Sequence, residues 1–329
     1  MYPFTHVNAY SIKEAEDLLE KGNAAVIAGG TDLLPTMKGM CVPNPPEVLV
    51  NIKTIDGLVG ITTDGGNLKI GALTKLSAIA DSDIVKNNDG WKVLAEAALK
   101  AASPELRNLG TIGGNICQKP RCIYYRKEYN VYNCLRKKGG ENTCYAASGL
   151  NRYHSIFGAT GGGCVAICPS DIAPALVALG ATIVTSKKEW KAEDFFYVGD
   201  MYDQINDIEE NEIVKEILVP APAAGTRSTY LKFAFRKAID FPLVSVAVVA
   251  NTSGGSVSDA RIVLGGVHNT PWRATDAETS INGKAINESN AEAAGTAGVS
   301  NNRADSTAPQ AKYKVQVAKT LIKRALLNL

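Results

Sequence analysis

Residues 24–33 read Ala24-Ala25-Val26-Ile27-Ala28-Gly29-Gly30-Thr31-Asp32-Leu33. The unbroken apolar run at its start reads as a buried strand. It stops abruptly at two glycines, which permit positive φ and a close backbone approach. Successive N–H groups opening into one concavity form an anion site, here suited to a pyrophosphate. A simple tight turn accounts for the same residues, because the pattern is neither the Rossmann nor the Walker fingerprint. Upstream, Ser11-Ile12-Lys13-Glu14 is a capping box that opens a helix. Ile12, Ala15, Leu18 and Leu19 fall on one face of that helix and Gly22 is its stop. Residues 1–57 therefore read as a small α/β lobe.

A second glycine-rich element repeats the logic. Trp91 to Ala102 is helical by composition and spacing, with Leu94, Ala98 and Ala101 on one side, and it ends near Ser103-Pro104. Leu109-Gly110-Thr111-Ile112-Gly113-Gly114-Asn115-Ile116 follows, again small residues and a hydroxyl beside apolar positions. Two such loops can clamp a long dinucleotide from two sides.

Between and beyond these loops lies an unusual density of sulfur. Of seven cysteines, six fall between 117 and 168. Cys122, Cys134, Cys144 and Cys164 are separated by 11, 9 and 19 residues, in a segment that carries Arg121, Arg126, Lys127, Arg136, Lys137 and Lys138. The gaps are not the short pairs of a structural zinc site. Long unequal gaps suit a loop wrapped around a larger object, and a [4Fe–4S] centre on four thiolates is negative enough to favour basic neighbours. Free, partly buried cysteines are the alternative reading. The basic run reads either as a solvated face or as a docking patch for an acidic redox partner.

Length and composition bound the rest. A chain of 329 residues exceeds one hydrophobic core, so two or three domains are expected. An apolar fraction of 45%, 21% charged residues and a net charge of +2 describe a globular protein without the charge excess of a nucleic-acid binder. The longest apolar run, Phe241 to Ala250, is too short to span a bilayer. The N-terminus has no charged region followed by an apolar one, so no secretion signal is expected. With an odd number of cysteines, the expectation is a reducing, cytoplasmic setting rather than a disulfide framework.

The order and spacing of these motifs resemble the FAD-binding (medium) subunit of the xanthine dehydrogenase / molybdenum hydroxylase family. Ala28-Gly29-Gly30-Thr31-Asp32-Leu33 resembles its first FAD loop and Thr111-Ile112-Gly113-Gly114-Asn115-Ile116 its second. Pro169-Ser170-Asp171-Ile172-Ala173-Pro174-Ala175-Leu176 resembles the family's Ser-Asp element before a buried helix. Lys232, in Tyr230-Leu231-Lys232-Phe233, falls where the family places a lysine near the flavin ring. Phe241-Pro242-Leu243-Val244-Ser245-Val246-Ala247, Gly265-Gly266-Val267 and Pro271-Trp272-Arg273-Ala274 resemble the C-terminal signatures. The resemblance implies an α+β protein: a two-lobed FAD-binding domain of the vanillyl-alcohol-oxidase / PCMH type and a C-terminal α+β domain of the CO dehydrogenase flavoprotein type. The implied boundaries are 1–57, 58–220 and 221–329. The implied FAD contacts are Ala28, Gly29, Gly30, Thr31, Asp32, Leu33, Gly110, Thr111, Gly114, Asn115, Asp171, Leu218 and Lys232.

About fifty residues separate the second FAD loop from the Ser-Asp element, where most such subunits have almost none. Such inserts resemble those of 4-hydroxybenzoyl-CoA reductase and of a bacterial aldehyde oxidoreductase, where the insert binds a [4Fe–4S] cluster. Pro120-Arg121-Cys122-Ile123-Tyr124-Tyr125-Arg126 resembles the first-ligand motif, and Asn151-Arg152-Tyr153-His154 followed by Cys164 the aldehyde oxidoreductase pattern. Cys134-Leu135-Arg136-Lys137 looks more like the reductase. The implied ligands are Cys122, Cys134, Cys144 and Cys164, taken ahead of the flanking Cys117 and Cys168. Cys41 reads as a bystander in a proline-flanked surface loop, and His154 as a structural hydrogen-bonding residue. The insert, 117–164, is expected to be a lobe separate from both glycine loops.

The remaining chain reads as Leu176 to Val184 continuing from helix into strand, and an exposed acidic loop over Asp203–Asn211. Strand-like runs follow at Thr229–Phe235, Leu243–Ala250 and Ala260–Leu264, then a weakly patterned stretch over Asn287–Gln310 that is expected to form a loose helix and a loop. Tyr313, Val317, Leu321, Arg324 and Ala325 mark an amphipathic C-terminal helix. The expected function is electron transfer among FAD, a [4Fe–4S] cluster here and [2Fe–2S] centres on a small partner subunit. A large partner would hold molybdopterin and do the substrate chemistry. The expected assembly is a dimer of heterotrimers served by an external carrier such as a ferredoxin, with no nucleic acid and no membrane. Electrons leave a hydroxylated substrate or enter to drive a reduction. Two rivals stay open: a self-sufficient FAD oxidoreductase, for which the three histidines offer no obvious acid or base, and a zinc-binding scaffold.

Overall fold

The computed structural model describes residues 1–196, 206 and 208–329. Three sheets organise it. The first has three parallel strands, β1 (Thr5–Asn8), β2 (Ala24–Ile27) and β3 (Val48–Asn51), in the order β1-β3-β2. Parallel neighbours need crossovers, and here they are the helices Ile12–Glu20 and Leu33–Lys38. Ser11 caps the first helix by accepting from the Glu14 N–H at 3.1 Å, and the Glu14 carboxylate accepts from the Tyr10 N–H at 2.7 Å. The box therefore closes one residue further out than the Ser11-x-x-Glu14 pattern predicts.

The second sheet runs β4-β5-β8-β6-β7, from β4 (Ile61–Asp64), β5 (Asn67–Gly71), β6 (Thr182–Thr185), β7 (Glu189–Lys191) and β8 (Val214–Val219), all neighbours antiparallel. The helix Lys92–Lys100, with Trp91 at its N-cap, and the wholly buried helix Ile172–Ala178 share a core with it. The third sheet runs β12-β11-β10-β9, from β9 (Thr226–Phe233), β10 (Val244–Asn251), β11 (Ser258–Gly265) and β12 (Trp272–Arg273). Helices Thr275–Ile281, Glu288–Ala297 and Lys312–Leu327 cover it. The second and third units are tied together, because Tyr230, Ala247 and Val263 join the core of the second. Ser228 also bonds to Asp89 and Val93 around the start of the helix Lys92–Lys100.

Three expectations can be set against the structure. The weakly patterned stretch holds a helix and a loop as expected: Glu288–Ala297 is helical, with Asn287 capping it by accepting from Asn290, and turns follow. The C-terminal helix is amphipathic with Leu321 and Ala325 buried as expected, but its inward face is rotated: Lys314, Ala318 and Ile322 join them, whereas Tyr313 is 55% exposed and Arg324 is exposed. The rotation follows from Lys314, whose ammonium reaches the carbonyls of His154 at 2.8 Å, Tyr153 at 3.2 Å and Gly266. Of the acidic stretch Asp203–Asn211, residues 203–205 and 207 lie outside the described residues. Among the described residues no helix is long and apolar enough to cross a membrane.

Candidate functional site

A cleft of about 570 Å³ opens between the first and second sheets. Both glycine loops face it. Ala28, Gly29, Gly30, Thr31, Asp32 and Leu33 line one wall, and Gly110, Thr111, Gly114 and Asn115 the other, with Asp171 behind. Gly30 takes φ +71°, which favours glycine. Gly29 has a different reason: a Cβ there would collide with the Leu109 carbonyl oxygen. The close approach is between the two loops themselves, so Gly29 sets the width of the cleft.

Polar side chains in the second loop fix its backbone. Thr111 accepts from the Gly114 N–H at 3.1 Å, and the Ser170 hydroxyl donates to Asn115 Oδ1 at 2.5 Å. The Asp171 carboxylate pairs with the Lys232 ammonium at 2.8 Å and accepts from the Tyr230 hydroxyl at 2.6 Å. Burial pushes the Asp171 carboxyl above the ordinary carboxylate range, and Lys232 and Tyr230 pull the other way. Lys232 itself does not line the cleft: its ammonium is held by Asp171 and by the Lys100 carbonyl at 2.9 Å. Leu218 also lies outside the lining, in β8 opposite Lys69 and Thr182.

The insert forms a second site. Cys122, Cys134, Cys144 and Cys164 line one small cavity, walled also by Tyr125 and Tyr145. Backbone N–H groups already point at sulfur: that of Ala166 donates to Cys164 Sγ at 3.4 Å. His154 Nε2 lies 3.2 Å from Cys122 Sγ, and Asn269 Nδ2 donates to Cys164 Sγ at 3.6 Å. Burial pushes the Cys122 thiol up to about 12 and raises those of Cys134 and Cys164. Buried thiols give up their protons to a bound metal, whose charge outweighs desolvation.

The basic run is neither a solvated face nor a patch throughout. Arg136 and Lys137 are 2% and 3% exposed. Lys137 bonds to neutral acceptors, Asn130 Oδ1 at 2.7 Å and the Tyr132 carbonyl at 2.6 Å, and feels the Cys134, Cys41 and Cys122 sulfurs. A buried cation costs several kcal/mol unless an anion balances it, and the surrounding sulfurs supply that anion once ionised. Among the described residues no three His, Cys, Asp or Glu side chains converge closely enough to hold a single metal ion.

The other cysteines sit elsewhere. Cys117 lines the dinucleotide-sized cleft and accepts from Asn206 at 3.5 Å. Cys168 is in the core of the second unit. Cys41 is 3% exposed, against the expected surface loop, because the insert covers it and its thiol donates to the Arg126 carbonyl at 3.3 Å.

The insert is not a separate lobe. The Asp32 carboxylate, in the first glycine loop, accepts from Arg121 Nη2 at 2.7 Å, Arg126 Nη2 at 2.7 Å and the Lys119 N–H at 2.9 Å. Arg126 also reaches Thr36, and its N–H donates to the Cys122 carbonyl at 2.9 Å. Arg121 lies 4.8 Å over the Phe241 ring at the edge of the cleft. Asp32 thus bolts the glycine loop to the segment carrying Cys122. The basic residues were visible in the sequence, but their common partner was not.

Comparison with known proteins assigns the fold. The FAD binding domain of molybdopterin dehydrogenases matches residues 2–222, and the CO dehydrogenase flavoprotein C-terminal domain matches 229–329. The chain is 33% identical to the aldehyde oxidoreductase FAD-binding subunit PaoB of Escherichia coli, over 80% of this chain and 81% of that one. It is 31% identical to the carbon monoxide dehydrogenase medium chain of Hydrogenophaga pseudoflava, over 96% and 93%. A solved structure of carbon monoxide dehydrogenase from that organism superposes with a TM-score of 0.75, covering 99% of this chain and 98% of that one. In this chain the two glycine loops and the Ser170-Asp171 element lie within the first matched domain, and the four-stranded sheet within 226–273 falls almost wholly in the second. The chain belongs to the FAD-binding medium subunits of the molybdenum hydroxylase family, as one subunit of an oxidoreductase.

Proposed function

We propose that this chain binds FAD between its two glycine loops and a [4Fe–4S] cluster on Cys122, Cys134, Cys144 and Cys164. In this reading it transfers electrons between these groups and [2Fe–2S] centres on a small partner subunit, while a large subunit holds molybdopterin and the organic substrate. The observation that carries the reading is the convergence of four insert cysteines on one cavity, next to the buried Lys137. The donor set is soft thiolate throughout, as iron–sulfur clusters require. A lone zinc holds its thiolates about 2.3 Å away, and among the described residues no three His, Cys, Asp or Glu side chains form such a single-ion site.

The chain's own residues bind and orient. Gly29 to Asp32, with Gly110, Thr111, Gly114 and Asn115 opposite, line the space where phosphates would lie, and Gly29 holds the two loops at contact distance. FAD, when bound, supplies conversion between two-electron and one-electron chemistry. Identity to the aldehyde oxidoreductase subunit favours that type of enzyme over the reductase type. A carbon monoxide dehydrogenase medium chain among the relatives favours large and small partners; a dimer of heterotrimers and an external carrier such as a ferredoxin complete the proposed assembly.

The test is analytical. Protein purified without oxygen should hold one FAD, with about four irons and four sulfides per chain, and a brown absorbance that dithionite bleaches. Bound zinc, or colourless free cysteines beside a full complement of FAD, would overturn the cluster half of the proposal. Recovery of a catalytically complete monomer would overturn the electron-transfer half.

A further inference from the structure

Two polar side chains reach the sulfurs of the cavity, one from within the insert and one from the C-terminal unit. His154 is 4% exposed, and its Nε2 lies 3.2 Å from Cys122 Sγ. Asn269, which follows β11 in the C-terminal unit, is 2% exposed, and its Nδ2 lies 3.6 Å from Cys164 Sγ. The other polar atom of each side chain, His154 Nδ1 and Asn269 Oδ1, is buried with no hydrogen-bond partner. That pattern fixes the direction of both contacts. With the proton on Nε2, His154 leaves only a bare lone pair unmet; with it on Nδ1, a buried N–H would be orphaned, which costs more. Turning the Asn269 amide would aim an oxygen at sulfur and strand two N–H groups. Both residues therefore donate.

Their placement is secured from outside the insert. The Lys314 ammonium, on the C-terminal helix, takes the His154 carbonyl at 2.8 Å as one of three acceptors and so holds the backbone that carries the ring. Structural needs alone do not explain two buried side chains that each leave one polar atom unmet in order to reach a sulfur. Burying such an atom without a partner is destabilising. A negatively charged thiolate at the other end repays it, because hydrogen bonds to ionised acceptors are roughly twice as strong as neutral ones.

We propose that His154 and Asn269 are tuning residues that raise the reduction potential of the [4Fe–4S] cluster by donating N–H···S hydrogen bonds to Cys122 and Cys164. This rests on the cluster reading given above. The redox step adds one electron from a one-electron donor to the oxidised cluster, with no bond made or broken and no proton moved. The reduced cluster carries one more negative charge, part of it on the thiolates, so donors aimed at sulfur stabilise it more than the oxidised form. Because the two donors come from different parts of the chain, their effects should add.

The experiment is a dithionite titration of the full chain, followed by the electron paramagnetic resonance of the reduced cluster, after iron and sulfide analysis. His154→Phe and Asn269→Leu should each keep about four irons. Each should disfavour cluster reduction about tenfold, a fall of about 59 mV for one electron, while the FAD couple stays in place. His154→Gln, which keeps an N–H donor, should restore part of the fall. If His154→Phe loses iron, Asn269→Leu and His154→Gln still read the potential. Four irons with an unchanged midpoint in Asn269→Leu, and in His154→Phe where that variant keeps its iron, would overturn the tuning role alone. A wild-type chain without iron would overturn it together with the cluster reading.

Discussion

The two glycine loops stand on regular secondary structure, whereas the cysteine insert has almost none. The first loop follows β2 and the second opens the helix Ile112–Ile116, and cores of aliphatic residues lie behind both. Over 117–164 the described structure offers only short turns such as Glu128–Asn130 and Tyr145–Ser148, and a buried apolar nucleus of Leu135, Cys164 and Ala166. A nucleus of that size cannot offset the entropy of ordering so long a segment. The cleft is therefore preformed by its scaffold, whereas the insert is held by its bonds to Asp32, by Ile156 and Phe157 in the C-terminal core and, in the reading proposed above, by the cluster on its sulfurs. Small folds that lack a core use metals in the same way.

Removing a sulfur should break this contrast most visibly. Cys134→Ser or Cys164→Ser should lose nearly all iron, since a hard alkoxide replaces a soft thiolate, and limited proteolysis should then cut within 117–164. Cys41→Ser, Cys117→Ser and Cys168→Ser should keep it, because those thiols lie outside the cavity. Iron loss in Cys117→Ser or Cys168→Ser with retention in Cys122→Ser or Cys164→Ser would reassign the ligands.

The reciprocal experiment targets the scaffold. Gly29→Val should abolish FAD binding, because its side chain would drive the Leu109 carbonyl away and reset the cleft. Iron should remain. Stoichiometric FAD in the purified variant would show that the loops can part without harm.

A third test probes the wall behind the cleft. Asp171→Ala strands the Lys232 ammonium, whose side chain is 7% exposed. Breaking one side of a buried pair costs roughly 3–5 kcal/mol, so thermal unfolding should shift down clearly even without FAD. An unchanged melting temperature would mean that Lys232 finds another partner.

Asp32→Asn should affect both sites, but less. It weakens charge-assisted bonds to Arg121 and Arg126, each worth roughly 1.5–3 kcal/mol. FAD affinity should fall and iron should leave faster under chelation. For the same reason the cysteine variants should bind FAD more weakly than wild type. If Asp32→Asn changes only one of the two, the sites are independent after all.

The smallest effect is a pH dependence. Burial pulls Lys314 down to about 7 from its ordinary 10.5. Its folded pKa lies below its unfolded one, so the unfolded chain binds more protons between those values, and stability should rise as pH climbs from about 7 towards 10.5. The rise should be modest, because three carbonyl acceptors suit the ammonium and oppose the burial. Melting curves of wild type against Lys314→Met would show it as a difference that vanishes at high pH.

The sequence by itself determined local elements and which residues need partners. The apolar run into Gly29-Gly30, the capping at Ser11, the apolar helix after Ser170-Asp171 and the crowding of cysteines are local patterns, legible because propensity and periodicity act over a few neighbouring residues. The order of these motifs along the chain was enough to suggest the family. Tertiary structure decided what each group does there. Asp32 meets Arg126 across 94 residues, Asn269 meets Cys164 across 105, and His154 meets Cys122 across 32. It also decided that Lys314, rather than Tyr313, turns inward, and that Gly29 answers to Leu109. A side chain's rotamer and composition say that it needs a partner. Only packing in three dimensions selects which one, because that choice is made by residues far away along the chain.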